Sequence, residues 1–166
     1  LIRLVNDLLV LARADAGRAL RSEQVSIRLL IDDVCCQAKQ LAPERTIECD
    51  NSLDVSVQGD PDALKQVLLV LLDNAITHTP AHAKILATVT QDDKRVAISV
   101  RDTGAGIPPD QLPHIFERFY RGDAARAGKG TGLGLSIAKE LVEAQSGTLT
   151  VESQLGQGSG FTNTLP

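Results

Sequence analysis

Asp102 closes a segment of alternating apolar residues and is followed at once by Thr103-Gly104-Ala105-Gly106-Ile107. A carboxylate is thereby set at a strand end, beside two glycines where backbone can approach a ligand closely. A second glycine run, Gly128-Lys129-Gly130-Thr131-Gly132-Leu133-Gly134-Leu135-Ser136, leads into a helical pattern, whose first N–H groups form an anion site suited to phosphate. Earlier, Asp73-Asn74 is followed by His78-Thr79-Pro80, which puts an amide one helical turn from an imidazole. An amide oxygen suits hard Mg²⁺, which binds through few protein groups plus phosphates. Two common nucleotide loops are excluded by counting: Leu133 stands where a dinucleotide-binding loop needs its third glycine, and a P-loop would need glycine in place of Asp123 and Ser or Thr in place of Gly130. Taken singly, the glycine runs also fit two flexible turns, and Asp73, Asn74 and His78 also fit solvent-facing polar residues at a helix end.

The elements that must position these groups follow from periodicity. Leu1, Leu4, Leu8 and Leu11 fall at heptad spacing and the pattern fades at Gly17, so residues 1–17 are expected to be the tail of a helical bundle. The polar stretch 18–24 reads as a linker, and 25–166 as one domain. Val25 and Ile27 alternate as a short strand, and a helix spans Leu29 to Leu41, stopped by Pro43. Thr46 to Asp50 and Asp54 to Val57 read as strands. At Gly59-Asp60-Pro61-Asp62 a cap residue, a proline for the first helical position and an acidic first turn coincide, opening a helix to about Thr77. Ile85 to Thr90 and Val96 to Val100 form a hairpin around Asp92-Asp93-Lys94. Pro108 to Gly130 is irregular and longer than the ~12–15 residues beyond which structureless loops are usually functional, so it is a candidate lid. Leu133 to Ala144 is helical, and Thr148 to Glu152 and Phe161 to Leu165 are strands.

Composition narrows the class. The 166 residues are 43% hydrophobic and 23% charged, with a net charge of -4, which argues for a folded domain and against a sequence-independent grip on nucleic acid. The longest aliphatic run, Val67 to Leu72, is six residues, far from the ~20 that cross a bilayer, so no direct membrane contact is expected. Cys35, Cys36 and Cys49 are odd in number and lack paired spacing, and are expected to be buried reduced thiols in a cytosolic protein. Of the four aromatic residues, Phe116, Phe119 and Tyr120 lie within the proposed lid and only Phe161 outside it.

The order of these pieces resembles the sensor histidine kinases of two-component systems. Leu71 to Pro80 looks like their asparagine box, Asp102 to Ile107 their first glycine box, Ile115 to Arg121 their phenylalanine box, Gly130 to Ser136 the next glycine box, and Gly156 to Phe161 with Leu165-Pro166 the last. The resemblance implies an α/β fold: a two-layer sandwich of a mixed sheet on helices, the Bergerat type shared with gyrase, Hsp90 and MutL, preceded by a helix from a dimerisation bundle. It implies ATP and Mg²⁺ as cofactors, with Asn74 as the metal ligand and, with Lys129 and Arg121 as phosphate partners, the catalytic set. Asp102 would accept from the adenine amino group and His78 would lie against the base. Gly104, Gly106, Ile107, Tyr120, Gly130, Thr131, Gly132, Leu133, Gly134, Leu135 and Thr162 would complete the nucleotide site, with Phe116 and Phe119 anchoring the lid on apolar surface or on the bundle. Without nucleotide or bundle, the lid from about Gln111 is expected to be poorly held.

The implied reaction is transfer of the γ-phosphoryl group to a histidine on an upstream phosphoacceptor domain, for relay to a response regulator, within a homodimer built through the bundle and located in the cytoplasm. His78, His82 and His114 lie outside any acceptor pattern, so the acceptor is expected before residue 1. Three departures bear on activity: Val70 and Thr77 replace an amide and a cation common in the family, and Asn163 stands where an apolar residue is usual. Val70 cannot act as a base, which disfavours the hydrolytic members of the superfamily, whereas phosphoryl transfer rests on positioning and charge. The alternative is a nucleotide-binding regulatory module with weak or lost kinase activity.

Overall fold

The computed structural model describes residues 20–122 and 130–166. The expected bundle helix over 1–17 lies outside them, as do Gly128 and Lys129. The chain begins with β1 (Glu23–Ser26), α1 (Ile27–Leu41), β2 (Thr46–Cys49), β3 (Ser56–Gly59) and α2 (Pro61–His78). It continues through β4 (Lys84–Gln91), β5 (Val96–Asp102), a single 3₁₀ turn (Leu112–His114), α3 (Gly134–Glu143), β6 (Thr148–Gln154) and β7 (Gly158–Leu165).

Five strands form a mixed sheet in the order β2-β4-β5-β7-β6, with β2 and β4 parallel and the other pairs antiparallel. The inward residues of alternating strands, among them Ile85, Ile98, Val100, Phe161 and Leu165, pack against Ile31 and Val34 of α1, Leu64, Leu68 and Leu71 of α2, and Ile137 of α3. This is the two-layer α/β sandwich, and each such Leu or Ile taken from water contributes roughly 1.5–3 kcal/mol. A separate pair, β1 with β3, closes one end. The stretch read as a linker over 18–24 is joined to the domain where it is described: Leu20 packs on the core, and Arg21 donates its N–H to Asp60 at 3.0 Å and its guanidinium to Asp62 at 2.5 Å.

Two helix starts differ in legibility. Asp60 caps α2 as its sequence signals, its Oδ1 accepting from Asp62 N–H at 2.9 Å and Ala63 N–H at 3.1 Å. Ser26 caps α1 through the Leu29 N–H, so Ile27 opens the helix rather than continuing a strand.

The cysteine expectation is overturned. Cys35 on the inner face of α1 and Cys49 at the end of β2 are joined as a disulfide with their Cα atoms 6.6 Å apart, and Cys36, one position round the helix, is exposed. The reason is topological: β2 runs back beneath α1, so a separation of 14 residues brings the two sulfurs together.

Within the described part of the candidate lid, Pro108 to Gly122, Phe116 packs edge-on to Phe161 of the core at 6.3 Å, Lys139 lies 5.4 Å over the Phe116 ring, and Arg118 donates twice to Glu140 of α3, at 3.1 and 2.8 Å. Phe119 alone of the aromatic group stays outside, 66% exposed and with a φ of 64°.

Candidate functional site

The C-terminal half of α2, the end of β5, the β6–β7 turn and the N-terminus of α3 converge at one end of the sandwich. Helix α2 places Asn74 and His78 one turn apart on the edge of the helix layer, because Leu68, Leu71, Leu72 and Ala75 occupy its buried face. Asn74 is half-buried and its amide is not engaged by any hydrogen bond among the described residues. The helix ends at Thr79, which is buried and turns its hydroxyl back to the Ala75 carbonyl at 2.6 Å, while its own carbonyl is taken by Arg45 at 2.8 Å.

Asp102 sits opposite, at the end of β5 and 8% exposed. Its Oδ1 accepts from the Gly104 N–H at 2.8 Å, and Gly158 of β7 lies against its main chain, where a Cβ would stand 1.9 Å from the Asp102 carbonyl oxygen. Gly104 is required by close approach: a Cβ there would stand 2.8 Å from Asp102 Oδ1, 2.8 Å from the His78 carbonyl and 2.9 Å from Thr79 Cγ2. The loop after Asp102 is therefore laid directly on the end of α2. Burial pushes the Asp102 carboxyl above the ordinary carboxylate range, against the pull of nearby backbone N–H groups and of His78. Partial desolvation holds the His78 imidazole below its ordinary value, opposed by the carboxylates of Asp102 and Asp73. Burial thus works in the same sense on both, toward the uncharged form of each.

Helix α3 opens at Gly134, with Leu133 fully buried and no side chain capping the first turn. The Leu133 carbonyl accepts from the Ile137 N–H and the Ser136 hydroxyl, whereas Thr131 Oγ1 takes the Leu133 N–H at 3.4 Å. An uncapped helix N-terminus in a Gly130–Gly134 loop is an anion site by geometry. Val70 of α2 reaches this point, its γ-methyl 3.3 Å from where a Gly134 side chain would begin, so the helix carrying Asn74 and the phosphate-type loop are in contact.

The structure brings Asn74, His78, Asp102 and Gly104 together, with Gly106 and Ile107 on the same loop and Leu133, Gly134 and Leu135 at the head of α3. Gly130, Thr131 and Gly132 lead into that helix, the Gly132 carbonyl accepting from the Phe119 N–H at 2.8 Å. Tyr120 stacks near His114 at 5.7 Å, and Arg121 follows it at the end of the described loop. Lys129 lies outside the described residues. Thr162 is placed elsewhere: strand alternation turns it to the sheet face away from the helices, where its hydroxyl meets Ser99 at 2.5 Å. Strand β7 meets the site at Gly158, packed on the Asp102 main chain, within the Gly156 to Phe161 box.

A Mg²⁺ ion fits this donor set only in the way hard cations commonly sit beside a nucleotide. Among the described residues no three His, Cys, Asp or Glu side chains cluster to hold a metal, so Asn74 would be a single protein ligand completed by phosphates and water.

Residues 59–166 match the family of histidine kinase-, DNA gyrase B- and HSP90-like ATPases. The chain belongs to this family. It is similar along its whole length to the sensor histidine kinase RppB of Synechocystis sp., at 38% identity over 172 residues, although it spans only 38% of that relative's length. Among solved structures it resembles ShkA, determined full-length in complex with AMPPNP, with a TM-score of 0.85, 35% identity and coverage of 99% of this chain and 35% of that one. The mycobacterial sensor histidine kinase MprB matches with a TM-score of 0.78 and 28% identity, covering 87% of this chain and 97% of that one. The fold class and the family read from the motif order are thus both found. No helix among the described residues is long and apolar enough to cross a membrane.

Proposed function

We propose that the chain is the catalytic ATP-binding region of a sensor histidine kinase, which binds ATP with Mg²⁺ and passes the γ-phosphoryl group to a histidine of a phosphoacceptor domain on the same protein. The observation that carries this reading is Asp102: a buried carboxylate at a strand end, oriented by the Gly104 N–H beside the helix that bears Asn74 and His78. With that bond made, its remaining lone pairs suit a group that donates, as the adenine amino group does and a guanine carbonyl does not. His78 offers a ring face for the base, and the uncapped turn at Gly134 offers N–H groups to the phosphates.

A bound Mg²⁺ would supply charge neutralisation on the phosphate oxygens. The protein's own part is placement: Asn74 orients the phosphate end, the Gly130–Gly134 loop fixes its position, and Arg121 and Lys129 add positive charge. In the transfer the terminal P–O bond breaks toward ADP, an N–P bond to the acceptor imidazole forms, and the displaced ring proton passes to water. Relay to a response regulator and dimerisation through an upstream bundle complete the two-component reading. Nucleic acid plays no part in it.

One observation favours a second reading. Val70 packs its methyl group where the phosphate-type loop meets α2, so the site has an apolar contact at its phosphate end, as suits a regulatory module with slow transfer. Transfer of ³²P from labelled ATP to a chain extended upstream through the acceptor helix tests both. Label appearing on histidine supports the kinase, and nucleotide binding without label supports the regulatory module. Absence of ATP binding removes both.

A further inference from the structure

We infer that Ser153 is the positioning residue for the adenine end of the site, an assignment that rests on the ATP-binding reading above. Ser153 is on β6, directly across from Ser159 in the β6–β7 register. Its hydroxyl makes three contacts: the Ile107 N–H at 2.7 Å, the Gly158 carbonyl at 3.0 Å and the Ser159 hydroxyl at 2.9 Å. A hydroxyl has one hydrogen and two acceptor positions. The Gly158 carbonyl only accepts and the Ile107 N–H only donates, so Ser153 gives its proton to Gly158, and its second lone pair receives the proton of Ser159. Every capacity of the group is used.

These bonds join the two strands of backbone that orient Asp102. On one side, the loop from Asp102 to Ile107 carries Gly104, whose N–H holds the carboxylate. On the other, Gly158, which precedes Ser159, lies on the main chain of Asp102 itself, so close that a Cβ would be 1.9 Å from the Asp102 carbonyl oxygen. Two main-chain features also press the loop onto the β6–β7 turn: the Gly156 N–H bonds the Ala105 carbonyl at 2.7 Å, and Gly106, with a φ of 73°, lies so close that a Cβ would be 2.1 Å from the Gln154 carbonyl. Ser153 is the side chain in this latch, hence the part a substitution removes. The hairpin itself does not need it, since the ladder from Thr148↔Thr164 to Gln154↔Gly158 is made by main chain. Losing the hydroxyl leaves the Ile107 N–H without its acceptor, and the loop gains freedom relative to Asp102.

The test is calorimetric or competitive binding of ATP and of GTP, each with Mg²⁺, to the 166-residue chain and to Ser153→Ala, with urea unfolding as a check of the fold. GTP shares the ribose and triphosphate but not the amino donor, so it separates base positioning from general loosening. Ser153→Ala is expected to weaken ATP about tenfold, in line with loss of one well-made hydrogen bond to a partly buried donor, while GTP changes less than about twofold and the ATP:GTP ratio collapses. Ser153→Thr, which keeps the hydroxyl, is expected to restore ATP binding to within about threefold. An unchanged ATP affinity, or an equal loss for both nucleotides, overturns the inference while a discriminating wild type leaves the ATP reading standing. If the alanine chain does not fold, Ser153→Cys, a weak acceptor, is compared with Ser153→Thr, and equal affinities for those two overturn it. A wild type that binds ATP and GTP alike removes the base-site reading and this inference with it.

Discussion

The guanidinium of Arg45, with its side chain 15% exposed, donates to the carbonyl of Thr79 at 2.8 Å across 34 residues of sequence. Thr79 is the C-cap of α2, so a cation from the start of β2 closes the helix that bears Asn74 and His78. Positive charge at a helix C-terminus is favourable in its own right, and Arg45 also pairs with Glu44. Arg45→Ala is accordingly expected to destabilise the domain by about 2 kcal/mol, the usual size for a partly buried hydrogen bond to a charged group. Urea unfolding measures it, and a change below about 0.5 kcal/mol would show that water serves the Thr79 carbonyl as well.

The disulfide gives a second prediction. Cys35 and Cys49 close a loop of 14 residues between α1 and β2. By chain-entropy arguments a crosslink of that length stabilises by about 3 kcal/mol, so reduction with excess dithiothreitol, or the Cys35→Ser, Cys49→Ser double variant, is expected to lower the urea midpoint accordingly. Cys36 is exposed and unpaired among the described residues, so mass spectrometry of the oxidised chain after alkylation under denaturing conditions should find one labelled cysteine. Three labelled cysteines would return all of them to the reduced thiols that composition suggested.

What sequence revealed and what it hid divide along physical lines. The start of α2 was legible because Asp60, Pro61 and Asp62 act locally, within one turn. The β4–β5 hairpin followed from alternation, and the mixed sheet and the Asp102–Gly104 loop from the motif order that marks the family; the strand order itself came only with the structure. The Cys35–Cys49 pair and the Ser153–Ser159 contact were not legible, because each depends on how one element lies over another and neither has a local signature. The direction of Thr162 was hidden for a related reason: β7 turns alternate residues to opposite faces, and the Thr162 hydroxyl meets Ser99 on the outward face. Phe116 was foreseen as an anchor, but its partner is Phe161 of the same domain.

Asn163 offers a third prediction. It is fully buried on the inner face of β7, in register with Ile98 and Leu149, and neither its Oδ1 nor its Nδ2 has a hydrogen-bond partner among the described residues. A buried amide without partners costs about 1–3 kcal/mol. Asn163→Leu, close in shape and apolar, is therefore expected to raise stability by about 1 kcal/mol or more, read as a higher midpoint in thermal unfolding. Destabilisation would mean that a buried water satisfies the amide in solution and is lost with it.

The last prediction concerns the charge that the base site maintains. Because burial raises the Asp102 pKa in the folded state above its unfolded value, folding favours the protonated form. Its contribution to stability is then present below the unfolded carboxylate range and is lost as pH rises through the folded pKa, so at neutral pH the ionised carboxylate works against the fold. Asp102→Asn removes the charge and keeps one acceptor oxygen for the Gly104 N–H. The variant is expected to match or exceed the wild type in thermal midpoint at pH 7, with the difference shrinking toward pH 3, where the wild-type carboxyl is itself neutral. Its ATP binding is expected to fall at least about tenfold, since the replaced oxygen becomes a donor facing a donor. A functional carboxylate held at a cost to stability would show both effects together. If Asp102→Asn loses stability at pH 7 and keeps its ATP affinity, the carboxylate is a structural partner of the loop after β5, and the adenine amino group must be read by another acceptor.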